Sequence, residues 1–296
     1  MGMLYPDTVR PVSRRLRKAL LIGAGVFVLA GAYALSLVAF SVQRDNGRKT
    51  FTIGKGRNGI GVAARVTSID PAADAVTVRL EFGPLGDYTR DKIALARPVK
   101  VIISTAKGRS ELNFAAGSVM SPTEATLALT GGELLDYPFD RYESGLIVLA
   151  RTPRGERVPV SMEVSTGFNG FRVATTRDMF IGEPFARFKL RRASTTIFFA
   201  LFIDVIFWAV ALTAFGLALR LVERRRKFEA GFTSFLAALL FAFPAVRNTL
   251  PGSPPIGALN DFLAFFWTEA VVAVAMIVLL VAYYVRRLPG AAPPGE

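Results

Sequence analysis

Any chemistry in this 296-residue chain has to be done without cysteine or histidine. Thiol nucleophiles, Cys/His zinc sites, disulfides, lipoprotein acylation and His-dependent triads are excluded by that inventory. Carboxylates remain. Asp70, Asp74, Glu111, Glu133, Asp136, Asp140 and Glu143 fall in the stretch between the first two apolar runs, but no spacing among them pairs an acid with a base. The group Glu133, Asp136, Asp140 and Glu143 has the oxygen ligands calcium needs, yet it lacks the D-x-[DN]-x-[DN]-G loop pattern. Gly54-Lys55-Gly56-Arg57-Asn58-Gly59 is glycine-rich and basic. No helical pattern follows it to supply the dipole of a phosphate site, and no G-x-x-x-x-G-K-[ST] loop occurs. These residues read as solvated turn charges, and the expectation is no enzyme, no metal and no cofactor.

A second set of polar residues is embedded in hydrophobic runs. Asp204 lies ten residues into one run, which is about 15 Å down a helix at about 1.5 Å per residue. Glu269 lies about two turns into another. An ionised carboxylate at such a depth costs a few kcal/mol or more, so each is expected to face other helices, be protonated or pair. Arg247, at the outer end of the run between them, is the expected partner of Glu269. Structural contact between helices is the reading favoured over an ion or proton path.

The elements that must position these groups are written in continuous apolar stretches, and hydrophobic residues make up 52% of the chain. Four runs stand out: 19–42, 194–219, 230–247 and 262–285. Gly31-Ala32-Tyr33-Ala34 offers a cleavage site within the first, but the run continues past it, and an uncleaved anchor is expected. Ala230 to Val246 is about as short as a span can be, since about 30 Å of hydrocarbon must be crossed. Net charge is +13, concentrated in blocks beside these runs, which fits membrane orientation better than nucleic-acid binding. Placing the tail 1–18, the loop 220–229 and the tail 286–296 in the cytoplasm requires an even number of crossings. Residues 43–193 and the Pro/Gly loop 248–261 then face outward across the cytoplasmic membrane, with both termini inside.

Between the first two runs the periodicity becomes alternating. Gly61 to Val66, Ala75 to Phe82, Val99 to Ser104, Ala125 to Leu129, Leu146 to Ala150, Val158 to Val164 and Phe171 to Ala174 read as strands. Two half-apolar sheets bury their faces only against each other, so an antiparallel β-sandwich is expected, with residues 43–58 as its tether. The fold class is thus α + β: four membrane helices with the sandwich between the first and second.

Two resemblances overlay this reading. At Leu135-Asp136-Tyr137-Pro138-Phe139-Asp140-Arg141-Tyr142, and at Leu250-Pro251-Gly252-Ser253-Pro254-Pro255-Ile256-Gly257 with Asp261 and Phe265-Phe266-Trp267, the chain resembles domain-of-unknown-function family 4436. That resemblance implies a layout of one leading span, a β-rich segment and a three-span block across nearly the whole chain, and no activity. Tyr137-Pro138-Phe139-Asp140 is also similar to the signature loop of pentameric ligand-gated ion channels, and Arg191-Arg192 falls where those channels carry a basic residue before their first span. Glu229 to Thr233, the third run and Pro251 to Gly257 are similar to their pore helix and following loop. This second likeness implies that Tyr137, Pro138, Phe139, Asp140, Arg141, Arg191, Arg192, Pro251, Pro254 and Pro255 couple the sandwich to the helices. It departs in having three spans after the sandwich instead of four, and the leading span stands in for the missing one. Two functions are expected from different classes: an envelope interaction or structural module, and a channel-like homo-oligomer. The expected partners are membrane lipids and either a second copy or another envelope protein, with no nucleic acid.

Overall fold

The computed structural model describes residues 14–46, 50–54, 56–91, 93–167, 170–180, 183–223 and 230–287. Most of the two predicted cytoplasmic tails and of the basic loop after Glu223 lies outside those residues. Helix α1 (Arg14–Asn46) leads into thirteen strands: β1 (Thr50–Ile53), β2 (Gly59–Asp70), β3 (Ala75–Leu85), β4 (Thr89–Arg90), β5 (Ala94–Leu95), β6 (Val99–Thr105), β7 (Gly108–Phe114), β8 (Thr123–Ala128), β9 (Arg141–Arg151), β10 (Arg157–Val158), β11 (Val160–Ser165), β12 (Phe171–Phe180) and β13 (Glu183–Arg192). Three helices follow: α2 (Ser194–Glu223), α3 (Ala230–Arg247) and α4 (Phe266–Arg287), the last preceded by one π-helical turn, Asp261–Phe265.

Alternation in the sequence is what makes the sheets. Along β2, Val62, Ala64 and Val66 are buried while Ala63 and Arg65 are exposed, the period of two that a half-covered strand requires. One sheet has the order β1-β11-β2-β3-β8, the other β12-β13-β9-β6-β7 with β10 also on β9, and β4 pairs with β5 as a separate ribbon. Val62, Val78 and Leu80 from the first sheet meet Val101, Leu146 and Phe188 from the second in one core.

Two expectations need correction here. The sandwich is not wholly antiparallel, because β11 runs parallel to β2, Val160 opposite Ile60 through Ser165 opposite Arg65. The cause lies at Pro159. It has no N–H to continue the ladder of β10 on β9, so the chain leaves that sheet there and enters the other in the direction it already travels. Its carbonyl accepts from Ile60 N at 2.9 Å, and a Cβ on Gly59 would stand 2.0 Å from that oxygen. Nor is 43–58 simply a tether, since Thr50–Ile53 forms an edge strand antiparallel to β11. Asn58 is tied reciprocally to Asp87, accepting its backbone N–H at 3.0 Å and donating to its carboxylate at 2.9 Å.

The helices form a second core. The buried face of α2 is Ala200, Ile203, Phe207, Ala211, Ala214 and Ala218, a stripe at helical spacing whose small residues admit close approach of α4. Val272, Ala275 and Leu279 of α4 belong to the same cluster. Helix α1 packs on α2, and α3 packs on α4. Segments of α1, α2 and α4 are long and apolar enough to cross a membrane, whereas α3, apolar over Gly231–Arg247, is shorter.

Candidate functional site at the sandwich–helix junction

Part of the set singled out in the sequence, Tyr137, Asp140, Arg192 and the loop after α3, meets where the strands end and the helices begin. Along β13, Pro184, Ala186, Phe188, Leu190 and Arg192 point inward, and Arg187, Lys189 and Arg191 point out. The basic crowding ahead of α2 is therefore one face of a strand, and as a result Arg191 and Arg192 have opposite surroundings. Arg191 is exposed, while Arg192 is 4% exposed.

Arg192 is held on four sides. Its Nε donates to both carboxylate oxygens of Asp140, at 3.0 and 2.9 Å. Its guanidinium lies 4.5 Å from the ring centre of Phe171 and 5.0 Å from that of Tyr137, so cation–π attraction and hydrogen bonding together offset the cost of burying the charge. The fourth side is the loop after α3. A Cβ on Gly252 would stand 2.4 Å from Arg192 Nη1, and Gly252 has φ +81°, so only glycine satisfies both the backbone and the contact.

The loop 137–140 is split between the two cores. The Tyr137–Pro138 bond is cis, Pro138 and Asp140 are buried, and Phe139 and Arg141 are exposed. Tyr137 is fully buried and belongs to the helical cluster with Ala200, Ile203, Leu250 and Ala258, not to the sandwich core. Its carbonyl accepts from Asn260 N at 3.2 Å, and Asn260 Nδ2 donates to Asp204 Oδ1 of α2 at 2.9 Å. Burial, opposed by Arg192 and reinforced by Asp140, pushes the Tyr137 phenol up to about 12, so it stays neutral. The Tyr142 phenol, at the start of β9, is raised by burial and by its proximity to Asp140.

Arg247 does not pair with Glu269. It pairs with Asp261: Nε donates to Oδ1 at 2.8 Å and Nη2 to Oδ2 at 2.7 Å. The remaining donors reach the carbonyls of Pro254 at 2.9 Å and Pro255 at 2.7 Å, and Gly257 N donates to Asp261 Oδ2 at 2.8 Å. Position along the helices explains the choice. Arg247 ends α3 and Asp261 precedes α4, both at the same end of the helix bundle, whereas Glu269 is eight residues further along, about 12 Å away down the helix. The π turn at Asp261–Phe265 frees the carbonyl of Leu263, which accepts from Trp208 Nε1 of α2 at 3.0 Å. Pro251 is exposed on the same loop.

The acidic residues do not act together. Asp70 accepts from the N–H groups of Ala72 and Ala73 in a turn, and Lys100 beside Glu111 holds that carboxyl below its usual range. Glu143 faces Lys189 at 3.8 Å, and Asp140 is committed to Arg192. Glu133 and Asp136 line an open cleft of about 750 Å³ with Phe139, Arg141 and Leu259. Phe171, Gly252, Asn260 and Asp261 were absent from the residues expected to couple the two layers. Only Asp261 carries a local signal, an acid opening an apolar run after a proline-rich loop; the others acquire their roles from partners distant in sequence.

A family model described as a domain of unknown function (DUF4436) matches residues 52–181, and another domain of unknown function (DUF8686) matches residues 192–286. No curated protein matches the chain. The DUF4436 match covers the Tyr137–Asp140 loop and stops short of β13, so the Leu250–Gly257 motif falls in the DUF8686 segment instead. Asp140 and Arg192 stand in different matched segments, and their ion pair joins the two: the strands that are similar to DUF4436 are tied there to the helices that are similar to DUF8686.

Proposed function

We propose that the protein is a multi-pass coupling module of the cell envelope, with four helices in the cytoplasmic membrane and the β-sandwich outside as an interaction domain. The observation that carries this reading is the Arg192 junction. A buried ion pair is weak evidence of net stability, and on this reading the Asp140–Arg192 pair instead fixes the arrangement of the groups that share it. Here those groups are the Asp140 loop, the start of β12, the end of β13 and the loop after α3. A force or ligand that displaces one end of the sandwich must move the α3–α4 loop. The basic flanks of the apolar runs favour cytoplasmic termini, and the absence of Cys and His favours binding over catalysis. The occupants expected on the sandwich are a second copy of the chain or another envelope protein.

A second reading, a channel-like homo-oligomer, is favoured by one observation. Helix α3 leaves Ser234, Phe235, Ala238, Phe241, Ala242 and Ala245 exposed along one side, and α1, which packs on α2, stands in for the missing helix on this reading. Crosslinking in native membranes followed by native mass spectrometry in mild detergent separates the readings. A foreign envelope protein crosslinked to the sandwich supports the coupling module. Closed rings of identical subunits with conductance in planar bilayers support the channel, and crosslinks confined to self-contacts around such a closed ring would end the first reading.

A further inference from the structure

On the outer face of the second sheet the register places three arginines in one line. Arg191 of β13 is directly opposite Arg141 of β9 and directly opposite Arg172 of β12. Residues opposed across strands share a face, and all three are exposed. With strands about 4.8 Å apart the line is about 10 Å long, so three long side chains can converge on one anion. Like charges directly opposite are unfavourable in a sheet. One row further from the helices the same face is balanced, Lys189 being opposite Glu143 with 3.8 Å between their charged atoms. Among the described residues no carboxylate comes within ion-pair distance of Arg141, Arg172 or Arg191, although Glu133 and Asp136 share the cleft beside Arg141.

The position of the row points to its counter-ion. It is the last pair of the β9–β13 ladder, and Arg191 precedes the first residue of α2, Ser194, by three positions. At about 3.3 Å per extended residue that is within about 10 Å of the helix start, near enough for long arginine side chains to reach the headgroup layer of about 5–8 Å on each side of about 30 Å of hydrocarbon. Beside Arg141, Phe139 and Leu259 are exposed in the cleft, and offer apolar contact that an acyl chain uses and inorganic phosphate does not.

We infer that Arg141, Arg172 and Arg191 form a binding site for the phosphate of an anionic phospholipid in the leaflet beneath the sandwich. The inference rests on the membrane-spanning reading of α2. Binding of the headgroup restrains β9, β12 and β13 at the end that carries Arg192, so lipid composition bears on the junction.

The test uses the full chain in nanodiscs of phosphatidylcholine with or without phosphatidylglycerol, and native mass spectrometry of the lipid retained. Phosphatidylglycerol is expected to be retained preferentially, to be lost at high salt, and to resist competition by excess inorganic phosphate. The combined variant Arg141→Gln, Arg172→Gln, Arg191→Gln should weaken retention by roughly fivefold per arginine, about 100-fold in all. The corresponding triple lysine variant keeps the charge and should keep most of the preference, which guards against a folding artefact. Equal retention of both lipids by the native chain, an unchanged preference in the glutamine variant, or displacement by inorganic phosphate would each overturn the proposal. Alkaline extraction of membranes tests the spanning reading separately: a chain that stays in the pellet but shows no headgroup preference refutes the arginine site alone.

Discussion

Asp140 and Arg192, 52 residues apart in sequence, meet with both carboxylate oxygens within 3.0 Å of Arg192 Nε and with side chains 0% and 3% exposed. The pair sits on the seam between the two matched domains, so its loss should be felt as uncoupling as well as instability. Asp140→Ala and Arg192→Ala should each lower stability by about 3–5 kcal/mol, because each leaves one buried charge without its partner. The double variant should cost much less than the sum. A double-mutant cycle by thermal or denaturant unfolding in detergent checks this; additivity would show that the pair is not coupled.

Gly252 gives a sharper geometric expectation. Gly252→Ala places a methyl against Arg192 Nη1, whose side chain has no freedom to yield, in addition to the strain of φ +81°. The cost should exceed that of Gly117→Ala, where φ is +78° but nothing lies within 4 Å and strain alone operates, about 1 kcal/mol. Comparing the two melting temperatures separates contact from backbone strain.

Asp261→Ala removes the partner of Arg247 and frees the loop that Arg247 gathers through Pro254 and Pro255. The expected outcome is a loss of about 3–5 kcal/mol and new proteolytic cleavage within residues 248–260. Glu269→Ala, which breaks no contact with Arg247, should leave the loop protected. Limited proteolysis of the two variants in nanodiscs distinguishes them.

Tyr137 makes the fold sensitive to alkali. Its folded-state value lies above the ordinary 10.0, at about 12, so the folded form holds its proton where the unfolded chain has lost it. The contribution is fully present below pH about 10 and is lost as pH rises through about 12, on the order of 3 kcal/mol for two pH units. Tyr137→Phe should flatten the unfolding curve across that window while leaving stability at neutral pH nearly unchanged, since the phenol makes no hydrogen bond. A pH series of equilibrium unfolding measures it.

Because the chain has no cysteine, single replacements report topology without background. Ser253→Cys, exposed on the α3–α4 loop, should react with an impermeant maleimide in intact cells, as should an outer-domain control at Leu135. Labelling of Leu135→Cys without labelling of Ser253→Cys would mean that α3 does not cross.

Composition and periodicity by themselves determined the division of the chain. Long, mostly uncharged apolar runs make helices, the form that satisfies its own backbone where water offers no partner, and alternation from Gly61 to Ala174 makes half-buried strands because successive side chains point to opposite faces. The Tyr137–Asp140 loop and Arg191-Arg192 stand out in the sequence too, as local motifs beside an apolar run. What local sequence cannot carry is the choice between neighbours. That Arg192 turns inward and Arg191 outward depends on the parity of β13, a strand hidden by its charges. That Arg247 takes Asp261, that β11 lies parallel to β2, and that Tyr137 belongs to the helices follow from which segments stand at the same level in three dimensions. Burial and pairing are properties of that arrangement, and 52 residues separate the two ends of its central contact.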